Sequence, residues 1–437
     1  MDKARETAML VLYAVAFEGA YSNMALKESF SKNKELSEKD KAFITNIVYG
    51  TVKMQITIDY IIGCYSKVKL KKISPYILTI LRMGIYQLLF MDKVPESAAV
   101  NESVKLSKRY GHSASAGFVN GMLRNISKNG YRYPEEKIKY LSVKYSFPEW
   151  LVKSWVSDFG EKFSEELMEA MNREAKITVR VNRLKTTAEE LAEELPGAVV
   201  SEFQKASLIC DGFDVSGSEL YKKGYFTPQD ISASFSAVIL DPKPGECVLD
   251  MCAAPGGKTT HIAELMGNEG SVTAWDIHEH KIKIIEENAK RLGLDIIKAE
   301  LSDASALKSG IEGKFDKVLA DVPCSGLGII KRKPDIKLNP YPEGLKDLQY
   351  KILENAARYI KEGGEVLYST CTLCKSENEE VIRKFLESNK DFEGVNISGY
   401  LPEGLRKPEA EKGYITFFPN VDGIDGFFIA KLKKVCK

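Results

Sequence analysis

The stretch from Val248 to Thr260 reads VLDMCAAPGGKTT, and it decides how the second half of the chain folds. A short apolar run ends near Asp250, two adjacent glycines follow at Gly256 and Gly257, and a helical pattern then begins. Glycine lets the backbone turn tightly and approach a ligand closely. The stretch therefore predicts a strand, a ligand-binding turn and a helix in direct succession.

Strand candidates alternate with helical stretches from Gly245 onward. This alternation predicts a mainly parallel, doubly wound α/β sheet of the Rossmann-like kind. Two late candidates follow each other without an intervening helix, so we expect an antiparallel hairpin that completes a seven-stranded sheet. The candidates are Cys247 to Met251, Ser271 to Asp276, Ile296 to Ala299, Lys317 to Asp321, Glu365 to Thr370, Tyr414 to Phe418 and Phe427 to Leu432.

The pattern from Ala4 to about Ile126 is helical, because apolar residues recur three and four positions apart, as at Leu10, Tyr13, Ala14 and Phe17. Short polar or proline-containing breaks divide the pattern into several helices. The breaks lie at 37–40, 74–75 and 94–97. The simplest interpretation is an all-α bundle.

The middle of the chain changes from linker helices to a small α+β module. Its predicted elements are a strand from Ile177 to Asn182, a helix from Thr187 to Leu195, and strands from Val199 to Phe203 and Leu208 to Cys210. A chain of 437 residues exceeds what one core usually supports. We therefore predict a multidomain protein with boundaries at 1–130, 131–225 and 226–437.

Three aspartates stand at predicted strand ends. Asp276 ends the second strand of the large sheet, Asp303 follows the third and Asp321 ends the fourth. Ligands bind at the carboxyl ends of strands in open α/β sheets, so these carboxylates are expected to share one site. Asp276 would suit the ribose of NAD or of S-adenosylmethionine equally. The turn lacks the G-x-G-x-x-G spacing for a pyrophosphate, which favours a nucleoside that carries an amino acid.

Two cysteines follow neighbouring strands. Cys324 lies in Asp321-Val-Pro-Cys-Ser-Gly, where enzymes that methylate amines have Asp-Pro-Pro and an aromatic residue, and Cys371 lies just past the fifth strand. An exocyclic amine accepts a methyl group without a thiol, whereas C5 of cytosine becomes nucleophilic only after a thiolate adds at C6. The thiol pair therefore indicates C5 chemistry.

All eight cysteines are expected to be reduced thiols, because they show no regular spacing in so long a chain. Four of them are interpreted as buried and inert: Cys64, Cys210, Cys247 and Cys436. Cys371 and Cys374 form a C-x-x-C, but without a second pair we predict no metal site. Cys374 is either a packing residue or a thiol that could resolve an oxidised Cys371 to a disulfide.

These motifs resemble those of the RsmB/NSUN family of RNA cytosine-C5 methyltransferases. The matching stretches are CAAPGGK at 252–258, DVPCSG at 321–326 and TC at 370–371. The resemblance implies that S-adenosylmethionine is bound by Cys252, Ala253, Ala254, Pro255, Gly256, Gly257, Lys258, Asp276, Asp303 and Asp321. It also implies that Cys371 is the nucleophile, that Cys324 assists release of the product, and that Asp321 belongs to the catalytic set. Thr372 stands where the family commonly has serine, which keeps a hydroxyl in place.

The remaining parts of the chain resemble RNA-binding folds. Residues 1–130 are similar to the NusB fold through DKAF at 40–43, VYGT at 48–51, AVNE at 99–102 and FVNG at 118–121. RVNR at 180–183 resembles the family's small RNA-recognition-like domain. Together the resemblances imply 16S rRNA, free or in early small-subunit precursors, as the substrate, with no obligate protein partner.

Overall charge gives no indication of nucleic-acid binding, because 62 Lys and Arg nearly balance 61 Asp and Glu and leave a net charge of +1. Contacts to RNA would need local patches such as Lys331, Arg332 and Lys333, which could equally be a solvated loop. Apolar runs fall short of the roughly 20 residues of a membrane helix, so we expect a cytoplasmic protein without membrane contact.

Two alternatives stay open. One is a non-catalytic RNA-binding assembly factor, since a NusB-like bundle can bind RNA without chemistry. The other is a DNA cytosine methyltransferase, which uses the Pro-Cys thiol. The essential thiol and the need for a 2′-hydroxyl distinguish the latter from an RNA enzyme.

Overall fold

A computed structural model describes residues 2–210, 212, 215 and 217–435 of the chain. The chain forms two units, one comprising Met1–Arg173 with Arg332–Pro340 and the other Glu174–Lys331 with Tyr341–Lys437. Within the described part, no helix has the length and apolar character needed to span a bilayer. The division into three domains at 1–130, 131–225 and 226–437 stays a prediction.

The first unit is helical, as predicted. Its helices are α1 Lys3–Phe17, α2 Ser22–Lys32, α3 Glu38–Lys53, α4 Gln55–Tyr65, α5 Pro75–Phe90, α6 Glu96–Tyr110, α7 Ser113–Asn129, α8 Lys137–Tyr145, α9 Glu149–Phe159 and α10 Glu161–Asn172. The predicted breaks coincide with helix starts. Ser37 caps α3 by accepting from the backbone N–H of Asp40, whose carboxylate accepts in return from the backbone of Ser37.

The segment Arg332–Pro340 belongs to the helical unit although it is distant in sequence. The buried hydroxyl of Ser22 donates a hydrogen bond to the carboxylate of Asp335. Lys337 is fully buried, and its ammonium nitrogen lies 4.1 Å from the centre of the Phe147 ring. Burial lowers the pKa of Lys337 well below its ordinary value. The segment is therefore an integral part of this unit.

The second unit begins with a small antiparallel sheet. Its strands are β1 Ile177–Val181, β2 Val199–Val200, β3 Ser207–Cys210 and β4 Phe226–Pro228, in the order β2-β3-β1-β4, with helices α11 Ala188–Glu194 and α12 Glu219–Lys222. The predicted strand from Val199 to Phe203 is too long, since only its first two residues pair with β3. The other predicted elements of this module are confirmed.

The large sheet contains the seven expected strands and one more. They are β5 Cys247–Asp250, β6 Ser271–Asp276, β7 Ile297–Leu301, β8 Phe315–Asp321, β9 Ile360–Thr370, β10 Phe392–Gly394, β11 Tyr414–Phe417 and β12 Phe427–Lys434. Strands β7, β6, β5, β8 and β9 are parallel neighbours in that order, and β12 joins β9 antiparallel. The β11–β12 hairpin is confirmed, whereas the short strand β10, which also pairs with β12, was not predicted.

Helices cover both faces of the large sheet. They are α13 Ile231–Leu240, α14 Gly257–Leu265, α15 Glu279–Leu292, α16 Leu345–Tyr359 and α17 Glu379–Ser388. Successive strand residues point to opposite faces, so Val318 packs in the core below α16 and α17 while Leu319 packs in the core below α13 and α14. Because both faces are buried, the carboxyl edge of the sheet is the place where polar side chains can converge.

Candidate active site

The predicted strand, turn and helix are confirmed around the glycine-rich stretch. β5 ends at Asp250, and α14 begins at Gly257. Gly256 has a φ of +99°, a left-handed conformation that glycine adopts without strain. The backbone N–H of Ala253 donates to the carbonyl of Trp275 over 2.7 Å and joins the turn to β6. The turn is thereby held at the carboxyl edge.

Arg180 supports this turn from the small sheet. Its side chain is 1% exposed and forms a two-pronged ion pair with Glu264 on α14, at 2.8 and 3.1 Å. The same guanidinium donates over 2.7 Å to the carbonyl oxygen of Gly257, in the first turn of α14. The sequence marked Arg180 only as part of a domain motif, so its link to the glycine turn is a finding of the structure.

Asp250 lies directly before the glycine turn, and sequence reasoning did not assign it to the site. One carboxylate oxygen accepts from the Thr259 hydroxyl at 2.7 Å, and the other has no hydrogen-bond partner among the described residues. Burial raises the pKa of Asp250 to about 7. Its position at the end of the strand, directly before the turn, was the sequence feature that could have identified it.

The three predicted aspartates lie along the same edge, but their surroundings differ. Asp276 is almost fully buried and accepts from the backbone N–H of His278 at 3.0 Å. Asp303 is exposed and caps its own turn by accepting from the backbone and the hydroxyl of Ser305, at 2.8 and 2.7 Å. Asp321 is bonded on both carboxylate oxygens.

The bonds to Asp321 come from two elements. Lys258 of α14 donates from its ammonium nitrogen over 2.7 Å, and the Ser369 hydroxyl of β9 donates over 2.7 Å. Burial alone would lower the pKa of Lys258, but the Asp321 carboxylate, together with Cys371 and Asp250, outweighs burial and raises it. Lys258 therefore stays cationic at the edge of the sheet.

The two predicted thiols face each other. The sulfur atoms of Cys324 and Cys371 are 3.2 Å apart, and both residues are half-buried reduced thiols. The hydrogen bond with Cys371, together with burial, raises the pKa of Cys324 well above its usual range. Their juxtaposition was predicted from the neighbouring strands β8 and β9.

Close backbone packing holds the loop that carries Cys371. The N–H of Gly328 donates to the carbonyl of Cys371, and the N–H of Gly426 donates to the carbonyl of Gly328, each over 2.9 Å. A Cβ atom on Gly328 would lie 2.1 Å from the carbonyl oxygen of Gly426. Only glycine lets these loops approach so closely.

The cysteines that were predicted to be buried and inert differ in their exposure. Cys210 is buried as expected, but Cys64 is exposed near the end of α4 and Cys247 is half-buried at the start of β5, so the expectation of burial was wrong for both. Cys436 lies outside the described residues. Cys374 lies 3.1 Å from the Ser376 hydroxyl and 3.8 Å from the Tyr341 hydroxyl.

The basic stretch after Cys324 is divided between the two units. Lys331 belongs to the second unit, whereas Arg332 and Lys333 belong to the first. Only Lys333 is exposed, since the other two side chains are half-buried. A role in holding phosphate stays a prediction. Among the described residues, no three His, Cys, Asp or Glu side chains cluster in a way that could hold a metal ion.

The fold and the site together define a methyltransferase domain: a parallel sheet closed by an antiparallel hairpin, with a glycine turn after β5 and carboxylates at strand ends. Three family profiles match the chain. They are the 16S rRNA methyltransferase RsmB/F at residues 237–433, the NusB family at 2–128 and the RsmF/B-like ferredoxin-like domain at 147–212.

Full-length relatives agree with these matches. The probable ribosomal RNA small subunit methyltransferase B of Bacillus subtilis (strain 168) is 39% identical over 98% of each chain. The crystal structure of PH0851 is 30% identical, covers 99% of each chain and superimposes with a TM-score of 0.86. NSun6 from Pyrococcus horikoshii, solved with SFG, is 25% identical, with a TM-score of 0.60 over 67% of this chain and all of that chain.

The chain belongs to the RsmB/F family of rRNA methyltransferases. The predicted resemblance and the three-part fold class are confirmed. The chemical roles of individual site residues stay predictions.

Proposed function

We propose that this protein transfers a methyl group from S-adenosylmethionine to C5 of a specific cytosine in 16S rRNA, through a covalent bond between Cys371 and C6. The single observation that carries the proposal is the 3.2 Å separation of the Cys324 and Cys371 sulfur atoms at the carboxyl edge of the sheet. Enzymes that methylate an amine have no use for such a pair.

The residues of the edge fit S-adenosylmethionine. Asp276 offers a carboxylate to the ribose hydroxyls, and the first N–H groups of α14 at Gly257 and Lys258 have no partner within the helix, as at any helix start. The unpartnered buried oxygen of Asp250 is a second acceptor. When bound, this cofactor supplies a methyl group on a positively charged sulfur. Cys252, Ala253, Ala254, Pro255 and Gly256 would form the wall of its site, with Asp303 and Asp321 near by.

Cys371 acts as the nucleophile in the proposed reaction. Its thiolate adds to C6 of cytosine, and the electron pair of the C5–C6 double bond makes C5 nucleophilic toward the methyl group. Lys258 is a cation at the same edge of the sheet, in the first turn of α14. Asp321 fixes the ammonium group of Lys258. The lysine thus favours the thiolate form of Cys371.

Cys324 assists release of the product. The proton must leave C5, its electron pair re-forms the C5–C6 double bond, and the sulfur of Cys371 departs as thiolate. The hydrogen bond with Cys371 that raises the pKa of Cys324 is lost once Cys371 is bonded to C6. Cys324 can then lose its own proton to solvent, and its thiolate receives the proton from C5. In a DNA cytosine methyltransferase the thiol of the Pro-Cys motif, here Cys324, would attack C6 instead. The role assigned to Cys324 therefore distinguishes an RNA enzyme from a DNA enzyme.

Trapping on a substituted RNA tests the proposal directly. A 16S rRNA transcript containing 5-fluorocytidine should form a stable complex, because fluorine cannot leave C5 as a proton does. Mass spectrometry is expected to find the cross-link on Cys371. A cross-link on Cys324, or trapping on the DNA counterpart only, would favour the DNA alternative, and absence of methyl transfer to any RNA would favour the non-catalytic one.

Replacing Cys324 with alanine should convert the enzyme into a trap. Cys371 remains able to attack, but release slows, so a covalent enzyme–RNA complex accumulates during normal methylation. Denaturing gels with radiolabelled 16S rRNA measure the complex. Methylated RNA without any retained adduct would contradict the assignment of Cys324.

Asp276→Ala should weaken S-adenosylmethionine binding by about 1.5 to 3 kcal/mol, because a charged acceptor for the ribose hydroxyls is lost. Calorimetry on the purified protein measures the change. Asp316→Ala is a matched control, since Asp316 lies at the opposite end of the sheet, where it accepts from the backbone of Cys247. Equal affinities in both variants would remove Asp276 from the site.

A further inference from the structure

Glu377 is a buried carboxylate beside the thiol pair, in a short 3₁₀ turn six residues after Cys371. Its side chain has no solvent exposure, and among the described residues no cation forms an ion pair with it. A buried carboxylate is costly unless hydrogen bonds compensate for the lost water.

Four hydrogen bonds compensate for the burial of the Glu377 carboxylate. One oxygen accepts from the hydroxyls of Ser325 and Tyr341, at 2.6 and 3.0 Å. The other accepts from the backbone N–H of Ser325 and from the amide of Gln349, at 3.0 and 2.8 Å. Every donor is neutral, so the bonds are directional supports rather than a charge pair.

Glu377 and its partner Gln349 together hold the residues on both sides of Cys324. Ser325 directly follows Cys324 and is held twice by Glu377. Gln349 also donates over 2.9 Å to the carbonyl of Pro323, which directly precedes Cys324. The Ser325 hydroxyl lies 2.7 Å from that of Thr372, next to Cys371. The carboxylate therefore fixes the loop of one thiol against the loop of the other.

The backbone of Glu377 is itself anchored to the sheet. Its carbonyl accepts from the Tyr368 hydroxyl of β9 at 2.6 Å. The neighbouring Asn378 donates to the carbonyl of Thr372 over 3.0 Å and accepts from the Thr370 hydroxyl at 2.6 Å. The segment that carries Glu377 is thus hydrogen-bonded to the residues around Cys371, and from there the Glu377 side chain contacts the Cys324 loop.

We propose that Glu377 is a positioning residue that holds Cys324 within reach of the Cys371 adduct and so sets the rate of product release. The inference rests on the proposed function. The negative charge of Glu377 also adds, after the Cys371 bond and burial, to the raised pKa of Cys324. Because its side chain has no solvent exposure, we assign Glu377 to act through the Cys324 loop and not on the substrate itself.

The test compares Glu377→Ala with Glu377→Gln in the full-length protein, using an unmodified 16S rRNA transcript. Alanine removes all four bonds, and misplacement of a catalytic group by about 1 Å can cost 100-fold in rate. We expect kcat to fall about 100-fold, KM for RNA to stay within about twofold, and covalent complex to accumulate. Glutamine should largely restore turnover, because its amide can donate to the Ser325 and Tyr341 hydroxyls while its oxygen accepts the other two bonds.

Two further variants make the test decisive. Gln349→Leu removes the hydrogen bond to the carbonyl of Pro323 and should reproduce the slow release. This variant keeps the inference testable if Glu377→Ala fails to fold. Glu365→Ala removes a carboxylate in the middle of β9, where Glu365 pairs with Lys317 and Lys431 at 2.6 and 3.0 Å, and should leave the adduct fraction unchanged. Normal release in both Glu377→Ala and Gln349→Leu, or a glutamine variant as slow as alanine, would overturn the inference. Failure of the wild type to form an adduct with 5-fluorocytidine RNA would instead refute the proposed function.

Discussion

Replacing Cys371 with alanine is expected to abolish methyl transfer to 16S rRNA while leaving S-adenosylmethionine affinity unchanged. The change removes the only group that we assign to attack at C6, and the carboxylates and the glycine turn of the cofactor site are untouched. Transfer of a labelled methyl group measures activity, and calorimetry measures cofactor affinity. The 5-fluorocytidine complex should also disappear in this variant.

Cys374→Ala is the matched control for that loss. The two cysteines are three residues apart in the same loop, but the sulfur of Cys374 contacts the Ser376 and Tyr341 hydroxyls rather than standing against Cys324. The control is expected to remain active. Normal turnover by Cys371→Ala would refute the mechanism, even with every other site residue in place.

Replacing Arg180 with alanine should have the largest effect on stability. The change leaves Glu264 as a buried charge without its partner, and breaking a buried pair in this way costs about 3 to 5 kcal/mol. It also removes the bond to the carbonyl of Gly257, so S-adenosylmethionine should bind more weakly. Thermal unfolding and calorimetry measure the two effects.

Arg82→Ala is the control for Arg180→Ala. Arg82 forms an equally well-aligned pair with Asp59 in the helical unit, with both bonds at 2.7 Å, but its partner is 23% exposed. A smaller loss of stability and no loss of cofactor affinity are expected. If both variants bound the cofactor like the wild type, Arg180 would have no part in shaping the turn.

The sequence predicted the parts of the site that depend on local pattern. Strand ends follow from the alternation of apolar runs and turns, so Asp276, Asp321, Cys324 and Cys371 could be placed at one edge before any coordinates. The parallel order of the strands then brought the two thiols together, because β8 and β9 are neighbours.

What the sequence missed depends on distant partners. Glu377 looks like an ordinary charged residue in a polar loop, and only the packing of Gln349 and Tyr341 around it shows that it is buried. Arg180 lies 84 residues from Glu264, so no local pattern connects them. The three-residue strand β10 is too short to show alternation and forms because β12 offers it a free edge.

The helical unit is not contiguous in the chain, and this affects the order in which the protein can fold during synthesis. Ribosomes deliver the first 173 residues long before the segment Arg332–Pro340. Domains generally fold in order from the N-terminus while the chain is being synthesised, and synthesis proceeds at about 5 to 20 residues per second. The bundle must therefore wait on the order of ten seconds or more before Asp335 and Lys337 can fill their buried positions against Ser22 and Phe147. Until then the nascent bundle exposes that part of its interior to water and to chaperones.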